Sequence, residues 1–384
     1  MLAMDYRGPR RVRATQKPMP EIKHPQDAII RVTRSCICGS DLHLYNGNVP
    51  DTLVGMTFGH EFIGIVEDIG SEVQKLKVGD QVLVPFNIAC GKCHFCKQGL
   101  FGNCHESNSQ ATAVGGIFGY SHTAGGYDGG QAEFVRVPYA DVGPTVIPAG
   151  MDPDDAVMLT DVVPTGYQAA LMAGIQPGDT VVVFGAGPVG IMAARCCWLF
   201  GAGRVIVIDQ HEYRLEFVRN YAPCEAYNFR EMDDPVVFVK KATEWMGADA
   251  VIDAVGAEAE GNTMQTITGR KMLLQAGSAT ALHWAINSVK KGGIVSIVGI
   301  YGPTDNLVPI GNVVNKGLTI RANQASVKKH LPRLIEHVQN GILNPKALIT
   351  HRIPLEEVSD AYRMFSEKLD NCIKPVLIPP SAGM

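Results

Sequence analysis

Residues 180–190 read TVVVFGAGPVG and determine the fold of the central part of the chain. A β-branched run ends there in a GxGxxG turn, and an apolar segment with helical spacing, PVGIMAARCCWLFG, begins at once. In such a turn the first glycine permits the bend, the second lets a pyrophosphate reach the backbone, and the third lets helix and strand pack closely. Proline suits an early helix position. The residues predicted to bind a dinucleotide here are Gly185, Gly187, Pro188, Val189 and Gly190.

An acidic residue at the end of the next strand indicates which dinucleotide binds. Asp209 ends the run VIVID, nineteen positions after Gly190. A carboxylate there accepts hydrogen bonds from the adenosine ribose and repels a 2'-phosphate, which favours NAD over NADP. Arg214 is a complication, because a nearby arginine can accommodate that phosphate. The alternative, a simple βα turn followed by a solvated strand end, does not account for the joint spacing of the glycines and Asp209.

The rest of the chain is organised around this turn as two domains, since 384 residues exceed one ordinary core. Short β-branched runs separated by long loops predict a β-rich domain over residues 28–138. Further on, continuous apolar strands alternate with helices, which predicts a doubly wound parallel sheet of the Rossmann type. We therefore expect an α/β chain with a cofactor domain over 162–321 and a second domain formed by 1–161 and 322–384. Residues 257–280 interrupt the alternation and are interpreted as an insertion loop.

Charge and composition exclude several classes of partner. The net charge is −4 and the pI about 6.3, so no basic surface is available to neutralise a nucleic acid. Residues 1–20 are polar and basic, and no apolar run approaches the ~18 residues of a membrane span. We expect a cytoplasmic protein with a small-molecule partner, in which the ten cysteines are thiols or metal ligands.

Four cysteines are closely spaced in the segment 88–106. The pattern CxxCxxCx7C brings four thiolates within reach of one tetrahedral ion, and a site with no open position is a structural zinc site. His94 and His105 lie among them and could replace one ligand, and four unrelated free thiols are the less favoured alternative. The predicted ligands are Cys90, Cys93, Cys96 and Cys104.

A catalytic zinc site needs about three protein ligands and one open position. Cys38 in the segment CICGSDLH and His60 in the segment GHE are candidates, although each alone is more often a buried thiol or a core histidine. Cys36 competes with Cys38, and spacing does not separate the two.

Together, CxxCxxCx7C, CGSDLH, GHE and GAGPVG resemble the zinc-containing medium-chain alcohol dehydrogenases, in the order of that family and over nearly the whole chain. The resemblance implies that the β-rich domain is GroES-like, with one catalytic and one structural zinc ion. It makes Cys38 and His60 the first two catalytic ligands, Glu61 an occasional ligand, and Asp41 the acid that orients His60. Many members have a cysteine as third ligand, where this chain has Asp161 in the segment TDVVPTGY.

An aspartate at position 161 is a feature in which the chain resembles the glutathione-independent formaldehyde dehydrogenase branch. Two further features of this resemblance are the segment GGQAEFVRVPYAD at 129–141 and the insertion after DAVG at 253–256. In that branch the insertion covers the bound cofactor. At the position of Gly39 some family members have a basic residue that contacts the pyrophosphate of the cofactor. Another cation is therefore expected to contact the pyrophosphate in this chain, and Lys374 is the candidate.

The resemblance implies hydride transfer between NAD and an alcohol or an aldehyde hydrate, formaldehyde included. Ser40 is then expected to accept the alcohol proton and His43 to pass it on, with Thr165 near the nicotinamide; alternatively Ser40 is a turn residue and His43 solvated surface. The pocket is expected to include Tyr45, Phe86, Phe118 and Tyr301.

Other functions and the oligomeric state stay open. A zinc-free quinone or enone reductase and a non-catalytic NAD-responsive redox sensor are the alternative functions. The family's pairing of cofactor-domain sheet edges implies a homodimer or homotetramer.

Overall fold

A computed structural model describes residues 1–111, 114–256, 279–301 and 308–383. Two compact units form, Met1–Pro164 with Ser326–Met384, and Thr165–Ala325. Their borders lie beside the predicted positions 161/162 and 321/322. Most of the predicted insertion, residues 257–278, lies outside the described part of the chain.

The strands in chain order are β1 Leu2–Tyr6, β2 Val12–Gln16, β3 Ala28–Cys36, β4 Phe62–Ile69, β5 Gln81–Val84, β6 Asn87–Ile88, β7 Gly116–Ile117, β8 Phe134–Val137, β9 Thr145–Val146, β10 Thr180–Phe184, β11 Arg204–Asp209, β12 Glu225–Asn228, β13 Ala248–Asp253, β14 Val289–Ile297, β15 Thr319–Ala322, β16 Ile349–Pro354 and β17 Lys374–Ile378. The α-helices are α1 Gly39–Tyr45, α2 His94–Lys97, α3 Pro153–Met158, α4 Val162–Met172, α5 Pro188–Leu199, α6 Glu212–Tyr221, α7 Pro235–Ala242, α8 Thr280–Ser288, α9 Ile310–Lys316, α10 Val327–Gln339 and α11 Val358–Ser366. None of these helices has the length and apolar character needed to cross a bilayer.

The second unit contains a parallel sheet, six-stranded in the described residues, with the order β12-β11-β10-β13-β14-β15. Its central strands are buried along nearly their whole length, which explains why they read as continuous apolar runs. The order reverses direction between β10 and β13, the position at which such sheets bind ligands. The prediction of a doubly wound Rossmann sheet is confirmed.

The first unit is β-rich, as predicted. In the described residues its main sheet has the order β16-β17-β3-β4-β5-β9, with β8 also paired to β3. Most pairs are antiparallel and β16 and β17 are parallel. Two apolar clusters lie against this sheet, one around Phe58 and Tyr362 and one around Phe62 and Phe118. Both clusters stabilise the sheet ends from which the site described below is built.

Candidate active site

Three neighbouring strands of the first unit bring distant parts of the chain to one place. Strand β3 lies between β17 and β4, and the pairs Val376–Cys36 and Ser35–Phe62 align the end of β3 with the starts of the other two. The Cys36 N–H donates to the Glu61 carbonyl over 2.9 Å. The segments just beyond these strand ends, which carry Cys38, His60 and Glu61, are therefore neighbours.

Asp161 lies near Cys38, His60 and Glu61 because its neighbour Thr160 is hydrogen-bonded to a residue just beyond β5, the next strand of the sheet. The Phe86 N–H, just beyond β5, donates to the Thr160 carbonyl over 3.3 Å. Potential ligand atoms of Cys38, His60, Glu61 and Asp161 all lie within 4.8 Å of one another, and the carboxylate and imidazole groups are buried. The structure thus brings together the four residues predicted for the catalytic metal.

The distances between these atoms fit a zinc ion. Cys38 Sγ is 3.7 Å and His60 Nε2 is 3.3 Å from Asp161 Oδ2. Two ligands of a tetrahedral zinc ion lie about 3.6 Å apart for sulfur with oxygen and about 3.4 Å for nitrogen with oxygen. Burial acts to lower the pKa of the His60 imidazole. Asp41 and Asp161 raise this pKa by more than burial lowers it, so the net pKa is well above the ordinary value for histidine. This anionic environment is suited to a cation.

A hydrogen-bonded network holds the Asp41 carboxylate beside the His60 ring. Asp41 Oδ1 lies 3.3 Å from His60 Nδ1, and Asp41 Oδ2 accepts the Cys38 N–H over 2.9 Å. The Gln131 side-chain amide donates to Asp41 over 3.3 Å and to the Cys36 carbonyl over 3.0 Å. Tyr362 in turn donates its hydroxyl to Gln131 over 2.8 Å. A carboxylate on Nδ1 leaves Nε2 available to a metal.

Sequence reasoning found Asp41 but missed Gln131 and Tyr362. Both are fully buried, and they are separated from each other by 231 residues. A buried glutamine among apolar neighbours requires hydrogen-bond partners, and that requirement was the available signal.

Glu61, one of the four potential ligands, forms a wholly buried ion pair with Lys374. Lys374 Nζ lies 2.6 Å from Glu61 Oε1, and both side chains are almost fully inaccessible to solvent. Burial acts to lower the pKa of Lys374. The Glu61 carboxylate raises this pKa by more than burial lowers it, so the net shift is upward. The predicted contact of Lys374 with a cofactor would require this buried side chain to move. That role stays a prediction, and pairing with Glu61 is the contact that the structure gives.

We predict that Lys374→Met strongly destabilises the first unit. The substitution leaves the Glu61 carboxylate buried without its cation, at a cost of about 3–5 kcal/mol in the free energy of unfolding. The double variant Glu61→Gln with Lys374→Met removes both charges and should recover most of this loss. Urea unfolding of the metal-free proteins measures the effect; equal stability of wild type and Lys374→Met would contradict it.

The predicted proton-transfer residues lie on α1, whose N-cap is Cys38. Ser40 Oγ is 3.3 Å from His60 Nε2, so Ser40 borders the metal site. His43 is only 6% exposed, so the alternative in which it is solvated surface is wrong. Thr165 belongs to the second unit, within α4.

The four predicted pocket residues have different surroundings. The ring centre of Phe86 is 6.0 Å from that of His60, beside the metal site. Tyr45 packs against Tyr362, and Phe118 packs inside an apolar cluster; that these two line the substrate pocket stays a prediction. The Tyr301 hydroxyl donates to the buried carboxylate of Asp253 in the second unit.

The four clustered cysteines of the first unit form a second potential metal site. The Sγ atoms of Cys90 and Cys96, and those of Cys93 and Cys104, are 4.0 Å apart, close to the ~3.8 Å expected around tetrahedral zinc. Burial acts to raise the pKa of the Cys93 thiol. Hydrogen bonds from the backbone N–H groups of Cys96 and His105 outweigh burial and lower this pKa to about 6. Among the described residues, these sulfurs offer a closed S4 set, and His94 instead lies 3.0 Å from the Gln98 amide.

In the second unit the GxGxxG turn has the geometry that its glycines predict. Gly185 has a φ of +98°, and Gly187 is the N-cap of α5. A Cβ on Gly190 would lie 1.9 Å from the Gly185 carbonyl oxygen, so only glycine fits. The first turn of α5 therefore presents free backbone N–H groups, which favour an anion.

Asp209 is anchored at this turn rather than solvated. Its carboxylate accepts the Ala186 N–H over 2.6 Å and the His211 N–H over 2.9 Å, and its exposure is 9%. Arg214 donates to the Tyr213 hydroxyl over 3.0 Å. Arg214 Nη1 lies 4.0 Å from the position of a Cβ on Gly187, so this cation is next to the glycine turn.

Comparisons with known proteins agree with both units. Residues 24–148 match the alcohol dehydrogenase GroES-like domain, and residues 188–271 match the zinc-binding dehydrogenase family. An uncharacterized zinc-type alcohol dehydrogenase-like protein of Bacillus subtilis is 41% identical over 99% of this chain and 100% of its own length. The glutathione-independent formaldehyde dehydrogenase of Pseudomonas aeruginosa is 36% identical over 85% of this chain and 81% of its own.

A solved structure extends the comparison to the fold. The alcohol dehydrogenase TADH from Thermus sp. ATN1 superposes with a TM-score of 0.85 at 34% identity, covering 99% of this chain and 100% of that chain.

Proposed function

Since this chain belongs to the zinc-containing medium-chain alcohol dehydrogenase family and is thereby an alcohol oxidoreductase, we propose that it transfers a hydride between NAD and a small alcohol or aldehyde hydrate. The observation that carries the proposal is the buried set of one thiol, one imidazole and one carboxylate formed by Cys38, His60 and Asp161. Three such ligands are the number that leaves a catalytic zinc ion one open position.

A zinc ion at this position supplies Lewis-acid chemistry, which lowers the pKa of a bound alcohol and polarises a bound carbonyl. The residues of the chain hold it and arrange what surrounds it. Asp41, held by Gln131, lies beside the His60 ring. Asp161 supplies oxygen where many relatives have sulfur, which makes the ligand set harder.

Ser40 and His43 are proposed to carry the alcohol proton away. Ser40 Oγ already lies 3.3 Å from His60 Nε2. His43 follows three residues later on α1, a spacing that places two side chains on the same face of a helix. Ser40 accepts the proton and His43 passes it on toward solvent.

The GxGxxG turn with Asp209 supports NAD as the cofactor. The backbone N–H groups at the start of α5 bind the pyrophosphate, and the Asp209 carboxylate binds the adenosine ribose. Arg214, beside Gly187, neutralises part of the phosphate charge. A 2'-phosphate beside Asp209 is repelled, so NADP is the poorer cofactor.

Formaldehyde hydrate is the substrate that we propose to examine first, because Asp161 and the 36% identical relative both lead to it. We expect zinc-assayed protein to form NADH from formaldehyde without glutathione, or from a short alcohol. NADP should give a lower kcat/KM than NAD.

A panel of short alcohols, polyols, threonine and formaldehyde with and without glutathione, followed by absorbance at the NADH band, tests this expectation. Activity only with NADPH and an enone, undiminished in zinc-free protein, would support the reductase alternative. Absence of all turnover by protein that binds both zinc and NADH would support the sensor alternative.

A further inference from the structure

We propose that the first unit has a second small-molecule site, a cavity beside the four-cysteine cluster that binds an organic phosphate. The cavity has a volume of about 610 Å³, within the range of known ligand pockets. Its lining comes from the loop before β5, the four-cysteine segment, the segment around β9 and the start of α10. Cys38, His60 and Asp161 are not among its lining residues, so it is distinct from the catalytic site.

Three lysines give the cavity a positive charge. They are Lys75, Lys92 and Lys328. Lys328 Nζ donates to Thr145 Oγ1 over 2.8 Å and to the Pro144 carbonyl over 3.3 Å, which are both neutral acceptors. Within the described ranges of the chain, none of the three ammonium groups forms an ion pair with a carboxylate.

The one acidic residue in the lining does not neutralise these lysines. The Asp141 carboxylate accepts the backbone N–H groups of Gln74 and Lys75 over 2.8–3.1 Å. The Lys75 ammonium instead reaches the Asp141 carbonyl, at 3.2 Å. Asp141 therefore fixes the loop that carries Lys75, and its carboxylate forms no ion pair with the three ammonium groups.

The start of α10 adds to the positive potential. Lys328 and Lys329 lie in the first turn of this thirteen-residue helix, which has no acidic residue there. Cations at a helix N-terminus are unfavourable, because the helix dipole already places partial positive charge at that end. Burial, and then Lys75, lower the pKa of Lys328. A bound dianion would offset the charge of the lysines and of the helix end together.

Part of the cavity lining is apolar, which favours an organic ligand over a free ion. Leu76, Phe101, Val142 and Val146 line it. A phosphate group near Lys328 would leave this apolar wall for the carbon skeleton of the ligand. A phosphate monoester combines a dianionic head with such a skeleton, and its oxygens accept charge-assisted hydrogen bonds from lysine.

Calorimetric titration of zinc-loaded protein with phenyl phosphate tests the site without any turnover. We expect saturable binding of one molecule per chain, weakened about tenfold or more in Lys328→Met and largely retained in Lys328→Arg. Lys291→Met, which removes an exposed lysine of the second unit, is the matched control and should bind as wild type.

Toluene, which has no hydroxyl to bind zinc, and inorganic phosphate separate the carbon skeleton from the dianion of the proposed ligand. Both should bind at least about tenfold more weakly than phenyl phosphate, because each lacks either the dianion or the skeleton. Inorganic phosphate that binds as tightly as phenyl phosphate would overturn the organic ligand. No saturable binding, or the same affinity in Lys328→Met and wild type, would overturn the site.

Discussion

Cys38→Ala is expected to lower the zinc content from two ions to one per chain and to reduce alcohol-dependent NADH formation at least about a thousandfold. The substitution leaves His60 and Asp161 as the two strong ligands, one fewer than catalytic zinc sites have. Without zinc the bound alcohol keeps its high pKa, and the lost stabilisation of several kcal/mol corresponds to this factor. Metal analysis and NADH absorbance measure the two effects separately.

Cys36→Ala is the matched control for this experiment. Cys36 is also buried, two residues earlier, but its sulfur is outside the group of potential ligand atoms. This variant should keep both zinc ions and most of the activity. Loss of zinc from Cys36→Ala with retention in Cys38→Ala would contradict the assignment. Asp161→Cys, which restores the ligand common in relatives, should also keep the metal.

The comparison of Cys36 with Cys38 illustrates what spacing alone leaves open. Both cysteines precede the same glycine, and the sequence gives no periodicity that separates them. In the structure Cys36 is the last residue of β3 and is held by the sheet, whereas Cys38 lies beyond the strand as the N-cap of α1. The choice depends on where the strand ends, which is the least reliable part of a sequence-based assignment.

The parts of the site that were missed depend on contacts between distant segments. Gln131 meets Asp41 across 90 residues, and Lys374 meets Glu61 across 313. The sequence suggests Lys374 as the cation for the pyrophosphate because Gly39 leaves that position without a basic residue. The burial of Lys374 follows from the pairing of β17 with β3, which no local pattern predicts.

The predicted nucleotide-binding turn of the second unit could be identified from the sequence because the residues that define it are close together in the chain. The strand, the three glycines and the first turn of α5 are contiguous, and Asp209 ends the next strand of the same sheet. The position of Arg214 beside Gly187 requires the return of α6 onto the turn. Continuous apolar strands also identified the parallel sheet, since both of its faces are covered by helices.

The substitution Cys93→Ser is expected to increase local unfolding of the four-cysteine segment, residues 88–106 of the first unit. The four sulfurs hold loops with a small apolar core, which consists of Ala89 and the buried cysteines with a few partly buried neighbours. Structural zinc contributes folding free energy directly, so losing one of four ligands should increase amide exchange in residues 88–106 at least about a hundredfold. Hydrogen exchange followed by mass spectrometry measures this, with residues 180–209 of the second unit as the internal reference.

Cys224→Ser is the matched control, because Cys224 is likewise half-buried and lies outside both cysteine-containing ligand sets. It should leave exchange in residues 88–106 and the zinc content unchanged. Because all three tryptophans, Trp198, Trp245 and Trp284, lie in the second unit, their fluorescence reports that unit and checks that its fold is intact. Chelation of zinc from wild type should reproduce the exchange of Cys93→Ser. Unchanged exchange in Cys93→Ser, with zinc released, would mean that the loops are held by their own packing.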